Sequence, residues 1–322
     1  MKIYRGLSEL PPDFGPSALT IGNFDGVHFG HRRILRRVAE IAREHGWHPS
    51  VLTFDPHPTR IVAPTRTPAL LNSPAERAAL MQADGIEQVL ILPFTRELAQ
   101  LSPEEFARHL LVDALGARAV LVGDNFHFGH LQAGNVAVLS ELGRKLGFTT
   151  EIVPAVRYRG RMVSSSGVRE LIRSGSVALA DRCLTHPYWI EGDVVSGRGI
   201  GSRHTVPTLN LATTAEVIPA RGVYITRTHD AAGGRRWNSV TNIGYRPTFG
   251  ASDQLSIETF LLDRLEGEAP ARIRLEFLRR IRDELAFENP EALRTRILQD
   301  VRIAQAYFRR LAAWTHRTCI SC

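Results

Sequence analysis

The stretch Ala18-Leu19-Thr20-Ile21-Gly22-Asn23-Phe24-Asp25-Gly26-Val27-His28-Phe29-Gly30-His31 decides the fold of the N-terminal half. A short apolar run enters a glycine-rich segment. Ile34, Leu35, Val38, Ile41 and Ala42 then recur at helical spacing until Gly46. The reading is strand, tight turn, helix. Gly22, Gly26 and Gly30 permit sharp turns and close backbone approach to a ligand. A helix start offers unpaired N–H groups and the positive end of a dipole, which suits phosphate. His28 and His31 stand three apart on that helix start, so both can donate N–H to one anionic ligand.

The same alternation continues outward from this segment. Strands are predicted at Ala18–Ile21, Val51–Phe54, Val89–Leu92, Ala119–Val122 and Glu151–Val153. Ser73-Pro74 and Ser102-Pro103 each supply an N-cap with proline at the first helical position, and Glu105 completes a capping box with Ser102. Strands alternating with helices imply a parallel, doubly wound sheet, whose ligands lie at the carboxyl ends of the strands. The pattern changes after His186. Tyr188–Val195, Leu209–Leu211, Val223–Thr228, Trp237–Ile243, Ile257–Leu262 and Ile273–Leu278 read as successive strands of an antiparallel barrel or sandwich. Asn289 and Pro290 open a closing helix with Leu293, Ile297, Val301, Ala304 and Phe308 on one face. The expected domains are 1–184, α/β, and 185–322, β with a terminal helix.

Composition narrows the function classes. The chain has 322 residues, 43% of them hydrophobic and 23% charged, as in a soluble globular protein. No run approaches the ~18 consecutive apolar residues of a membrane span, and Met1–Leu10 lacks the apolar core of a secretory signal, so the cytoplasm is expected. The net charge of +7 is carried by arginine, since Lys2 and Lys145 are the only lysines. These arginines are scattered over polar helix faces and are not interleaved with aromatics, which argues against a nucleic-acid surface. Cys183 stands alone. Cys319 and Cys322 form a terminal C-x-x-C without the further ligands that zinc requires.

The second half has no P-loop. It offers Gly192-Asp193-Val194-Val195-Ser196-Gly197-Arg198-Gly199-Ile200-Gly201, in which Gly197, Gly199 and Gly201 can form a loop over phosphates. Thr208 and Asn210 alternate on one strand face, and two oxygen donors there suit Mg²⁺. Glu258, on a strand, is either an outward-facing glutamate or a general base.

His28-Phe29-Gly30-His31 resembles the H-x-G-H signature of the nucleotidyltransferases, and Gly22–His31 their FAD synthetase branch. Phe54-Asp55-Pro56-His57-Pro58, Val122–Gly129 and Ser164-Ser165-Ser166-Gly167-Val168-Arg169 agree with that family in order. Pro207-Thr208-Leu209-Asn210, Gly222-Val223-Tyr224, Asn242–Phe249, Ile257–Asp263 and Phe277–Phe287 are similar to successive riboflavin kinase blocks. The resemblance therefore points to the bifunctional riboflavin kinase/FAD synthetase family. It implies a Rossmann-like nucleotidyltransferase domain followed by a six-stranded antiparallel barrel, and MgATP-dependent conversion of riboflavin to FMN and of FMN to FAD. By this resemblance Gly22, Asn23, Phe24, His28, Gly30, His31, Asn125, Ser165, Ser166 and Arg169 hold ATP in the first domain, and Asp55 and His57 meet flavin. In the second domain Glu258 is the base, Thr208 and Asn210 hold the metal, and Arg282 meets flavin. Delivery of FMN or FAD to apo-flavoproteins is a further implication. Asn125 and His127 stand where the family often has aspartate and arginine, and Gln132 where a basic residue is common. Two alternatives follow: an efficient kinase with weak FAD synthesis, or an arginine-rich nucleic-acid-binding protein on a nucleotide fold.

Overall fold

The computed structural model describes residues 1–195, 208–248 and 251–319. They pack as two compact units, residues 1–167 and 168–322, and the division falls inside the helix Ser165–Arg173.

The first unit is built on a parallel sheet of β1 (Lys2–Tyr4), β2 (Ser17–Ile21), β3 (His48–Phe54), β4 (Gln88–Leu92), β5 (Ala117–Gly123) and β6 (Thr149–Val153), in the order β1-β4-β3-β2-β5-β6. Its strands read as nearly continuous apolar runs because both faces are covered. On one face Leu19, Leu52, Leu90 and Val120 pack with Phe106, Leu110 and Leu139. On the other, Ala18, Val51, Val89 and Leu121 pack with Ile34, Leu35, Val38 and Ile41 of the helix Phe29–His45. That helix ends at Gly46, which takes a left-handed conformation with φ 69°. Strand order reverses between β2 and β5, so the crevice beyond their carboxyl ends is the expected ligand position. Two elements were not expected. β1 adds an edge strand of three residues, and β7 (Arg157–Tyr158) with β8 (Arg161–Met162) forms a small hairpin. Both are too short and too polar for hydrophobic periodicity to reveal.

In the second unit, β9 (Tyr188–Val195), β10 (Thr208–Ala212), β11 (Gly222–Asp230), β12 (Arg236–Thr248), β13 (Ala251–Leu261) and β14 (Arg272–Arg282) close an antiparallel barrel in the order β10-β13-β12-β11-β14-β9. The helix Pro290–Cys319 covers part of its outside. Ala304, Tyr307 and Phe308 of that helix pack against Val223, Ile225, Val240 and Phe260. Alternation along the strands then fixes the rest. Asn242 and Glu258, each two residues from Val240 and Phe260, face outward, whereas Thr226, Ser239, Thr241 and Thr259 face inward. These inward hydroxyls are fully buried and satisfy one another: Thr226–Ser239 at 2.8 Å, Thr226–Thr241 at 2.7 Å and Thr241–Thr259 at 2.9 Å. Asn289 caps the terminal helix by accepting from the Ala292 N–H at 2.8 Å.

Candidate active sites

The Gly22–His31 turn is held from below by two residues that the sequence did not single out. Phe24 and Val27 adopt positive φ of 49° and 38°, a conformation that costs ordinary residues free energy unless neighbours fix it. Asp25 and Arg77 are those neighbours, each only 2% exposed. The Asp25 carboxylate accepts from the N–H groups of Leu71 (2.9 Å) and Asn72 (3.4 Å). The Arg77 guanidinium donates to the Asn23 carbonyl. Burial lowers the Arg77 pKa, while Asp25 and Asp55 oppose the shift. Neither role is legible locally, because the partners lie 46 and 54 residues away in sequence.

His28 caps the following helix, its Nδ1 accepting from the His31 N–H at 3.4 Å. Its ring stacks on His31 with centroids 3.7 Å apart. A Cβ on Gly30 would lie 3.2 Å from His28 Cε1, so glycine is what leaves room for the stacked ring. Likewise a Cβ on Gly22 would lie 3.2 Å from the Phe24 ring. Burial, His28 and Arg77 together hold His31 well below the usual histidine range. It is therefore a neutral imidazole at neutral pH. Its Nδ1 is buried without a hydrogen-bond partner among the described residues.

Asn23 Nδ2 lies 3.0 Å from His57 Nε2, which joins an expected nucleotide residue to an expected flavin residue. Asp55 is exposed at the carboxyl end of β3. Ser165 donates its hydroxyl to the Asp25 carbonyl at 2.9 Å, tying the serine segment to the turn. Ser166, the second residue of the same helix, is exposed, and Arg169, one turn on, is buried. Asn125 is exposed beyond β5, and His127 Nδ1 meets the Asn125 carbonyl at 3.0 Å.

The barrel site is a row of side chains across three strands. Asn210 on β10 pairs with Glu258 on β13, which pairs with Asn242 on β12. Directly opposed residues in a sheet share a face, so these three stand together outside the barrel. Thr208 lies on the same face, two residues from Asn210. Its Oγ1 is buried with no hydrogen-bond partner among the described residues. Ser256 donates to Glu258 Oε1 at 3.0 Å and so orients the carboxylate. Gly197, Gly199 and Gly201 lie outside the described residues. Arg282, expected against flavin, has its guanidinium paired with Asp300 of the terminal helix at 2.8 Å. Asp300 is buried and would be costly to leave unpaired. Residues around Arg282 line an open cavity of about 550 Å³, formed by Ala220, Arg221, Arg280, Asp283, Glu284 and Leu285.

Comparison with known proteins matches each half of the chain to a family. Residues 11–167 match a family model described as FAD synthetase, and residues 184–308 one described as riboflavin kinase. A bifunctional riboflavin kinase/FMN adenylyltransferase of Pseudomonas fluorescens is 37% identical over 95% of this chain and 97% of its own length. The protein of that name from Escherichia coli strain K12 is 33% identical over 96% of this chain and 98% of its own. A crystal structure titled as a macrolide-efflux protein from Streptococcus pneumoniae superposes with a TM-score of 0.83 at 24% identity, covering 94% of this chain and 98% of that one; it shows the shared fold. Two family matches in this order, and near full-length relatives above 30% identity, place the chain in the bifunctional riboflavin kinase/FMN adenylyltransferase family.

Proposed function

We propose that the chain phosphorylates riboflavin to FMN on its barrel and adenylylates FMN to FAD, with release of pyrophosphate, on its parallel-sheet unit. The functional boundary is assigned to 184/185. The observation that carries the reading is the outward row Asn210–Glu258–Asn242, beside the orphaned Thr208 hydroxyl.

The two transfers make different demands. A ribityl hydroxyl must lose a proton as it attacks phosphorus, so the kinase needs a base. Glu258, oriented by Ser256, takes that proton. FMN already presents an ionised phosphate at neutral pH, its second pKa being ~6, so attack on the α-phosphorus of ATP needs alignment and charge stabilisation only. His28 and His31, the turn backbone from Gly22 to Gly30, Ser165, Ser166 and Arg169 provide these. Asn23, Phe24 and Asn125 contribute to nucleotide contacts, and Asp55 and His57 to flavin contacts.

Mg²⁺ accompanies ATP in this reading. The unpaired Thr208 hydroxyl and the Asn210 amide oxygen are hard donors that suit it. It would supply charge neutralisation at the phosphates, while the chain's own residues orient the acceptor and take the proton. Among the described residues no helix is long and apolar enough to cross a membrane, and a cytoplasmic setting remains our assignment.

The test is product analysis with riboflavin and MgATP. FMN should appear first and FAD later. FMN without FAD would restrict the chain to a kinase, and the absence of both would sink the proposal.

A further inference from the structure

Arg77, on the helix Pro74–Gln82, is a buried cation without a counter-charge. Among the described residues its guanidinium makes one hydrogen bond, to the Asn23 carbonyl, and no ion pair. Its Nε is buried with no hydrogen-bond partner there. Asp25 and Asp55 are the acids whose fields reach it. Asp25 is already held by the N–H groups of Leu71 and Asn72, and Asp55 is exposed. Elsewhere the chain matches its buried charges directly, Arg32 with Asp84 at 3.2 Å and Arg282 with Asp300 at 2.8 Å.

A guanidinium keeps its proton at neutral pH even where burial opposes the charge. The cost of an unmatched buried cation therefore persists in the free chain, and an anion brought from outside would relieve it. Arg77 reaches the Gly22–His31 turn, where such an anion can enter. It grips the Asn23–Phe24 peptide by its oxygen, which polarises the N–H of Phe24 at the other end of the same peptide. Phe24, Gly26 and Val27 take positive φ and Asp25 does not. Alternation of this kind turns successive backbone N–H groups toward one anion. His31, held neutral beside Arg77, brings a donor to that anion but no charge.

We propose that Arg77 is a positioning residue for adenylyl transfer: its unmatched charge, passed on through the Asn23–Phe24 peptide, draws a polyphosphate into the turn and holds it there. The ligand class is a di- or triphosphate, which covers the tail of ATP and the pyrophosphate that leaves. The inference rests on the FAD-forming reading given above.

The experiment uses the full chain and runs this transfer in reverse, forming FMN and ATP from FAD and magnesium pyrophosphate. Pyrophosphate is then the probe. Arg77→Gln keeps an N–H donor for the Asn23 carbonyl and loses the charge. Its KM for pyrophosphate, and for ATP in the forward direction, should rise about 30-fold, with a smaller change in kcat. Arg77→Lys keeps the charge and should stay within about 5-fold of wild type in both KM values. Riboflavin phosphorylation reports that each variant is folded. Arg77→Gln close to wild type would reduce the role to the hydrogen bond and overturn the inference. Equal losses in Arg77→Lys and Arg77→Gln, shared between kcat and KM, would reduce it to packing and overturn it as well. Wild-type chain that forms no FAD from FMN and MgATP would instead overturn the FAD-forming reading and the role with it.

Discussion

In the reading proposed above, the two units meet one problem, binding ATP beside a flavin, with opposite materials. The parallel-sheet unit uses backbone: a glycine-rich turn, two residues at positive φ, a helix start and a stacked pair of rings. The barrel uses side chains, set in a row by strand register. The difference follows from the acceptor. An ionised phosphate needs preorganised donors, and backbone N–H groups supply them cheaply. A hydroxyl needs a base at a defined point, and a strand places a carboxylate to within a pleat.

The strongest way to break this comparison is to remove the base. Glu258→Ala should lower FMN formation by about 10³-fold while supplied FMN is still converted to FAD. Equal loss of both activities in a folded variant would refute the division of labour. The converse test is His31→Ala. It should lower FAD formation from supplied FMN by about 10²-fold and leave riboflavin phosphorylation intact.

A smaller effect separates the units by pH. In the barrel unit, burial pushes the Asp181 carboxyl up to about 8, against the Tyr188 N–H bond that favours its charged form, with Glu276 adding to the rise. Unfolded aspartate titrates near ~3.9. Between these values the native state holds the extra proton, so stability falls as pH rises through this window. His31 in the other unit is depressed, so its contribution is lost as pH falls below the ordinary histidine range. Asp181→Asn keeps an acceptor for the Tyr188 N–H and removes the charge. It should stabilise the chain by roughly 1–3 kcal/mol at pH 8–9 and flatten that decline, measured by denaturant melts across pH. An unchanged profile would remove Asp181 as the cause.

How far the sequence could be read also differs between the units. The βα alternation, the Ser73 and Ser102 caps and all six barrel strands were legible, because periodicity and capping are local. The strand–turn–helix course of Gly22 to His31 was legible for the same reason. Asp25 and Arg77 were not, since an acid and a base buried by partners on distant elements look like surface polar residues in sequence. The ion pair of Arg282 with Asp300, 18 residues on in a helix, was hidden for the same reason.

The hydroxyl ladder inside the barrel bears on how the chain avoids folding wrongly. A one-residue slip of a strand exchanges its two faces. If β13 slipped, the Thr259–Thr241 hydrogen bond would be lost, and Glu258 would be driven as a charge into the barrel interior. Both penalties fall on the same error, so the strand that carries the proposed base is held in register by the interior threonine beside it. The register that places Glu258 opposite Asn210 is thereby favoured over its one-residue slip.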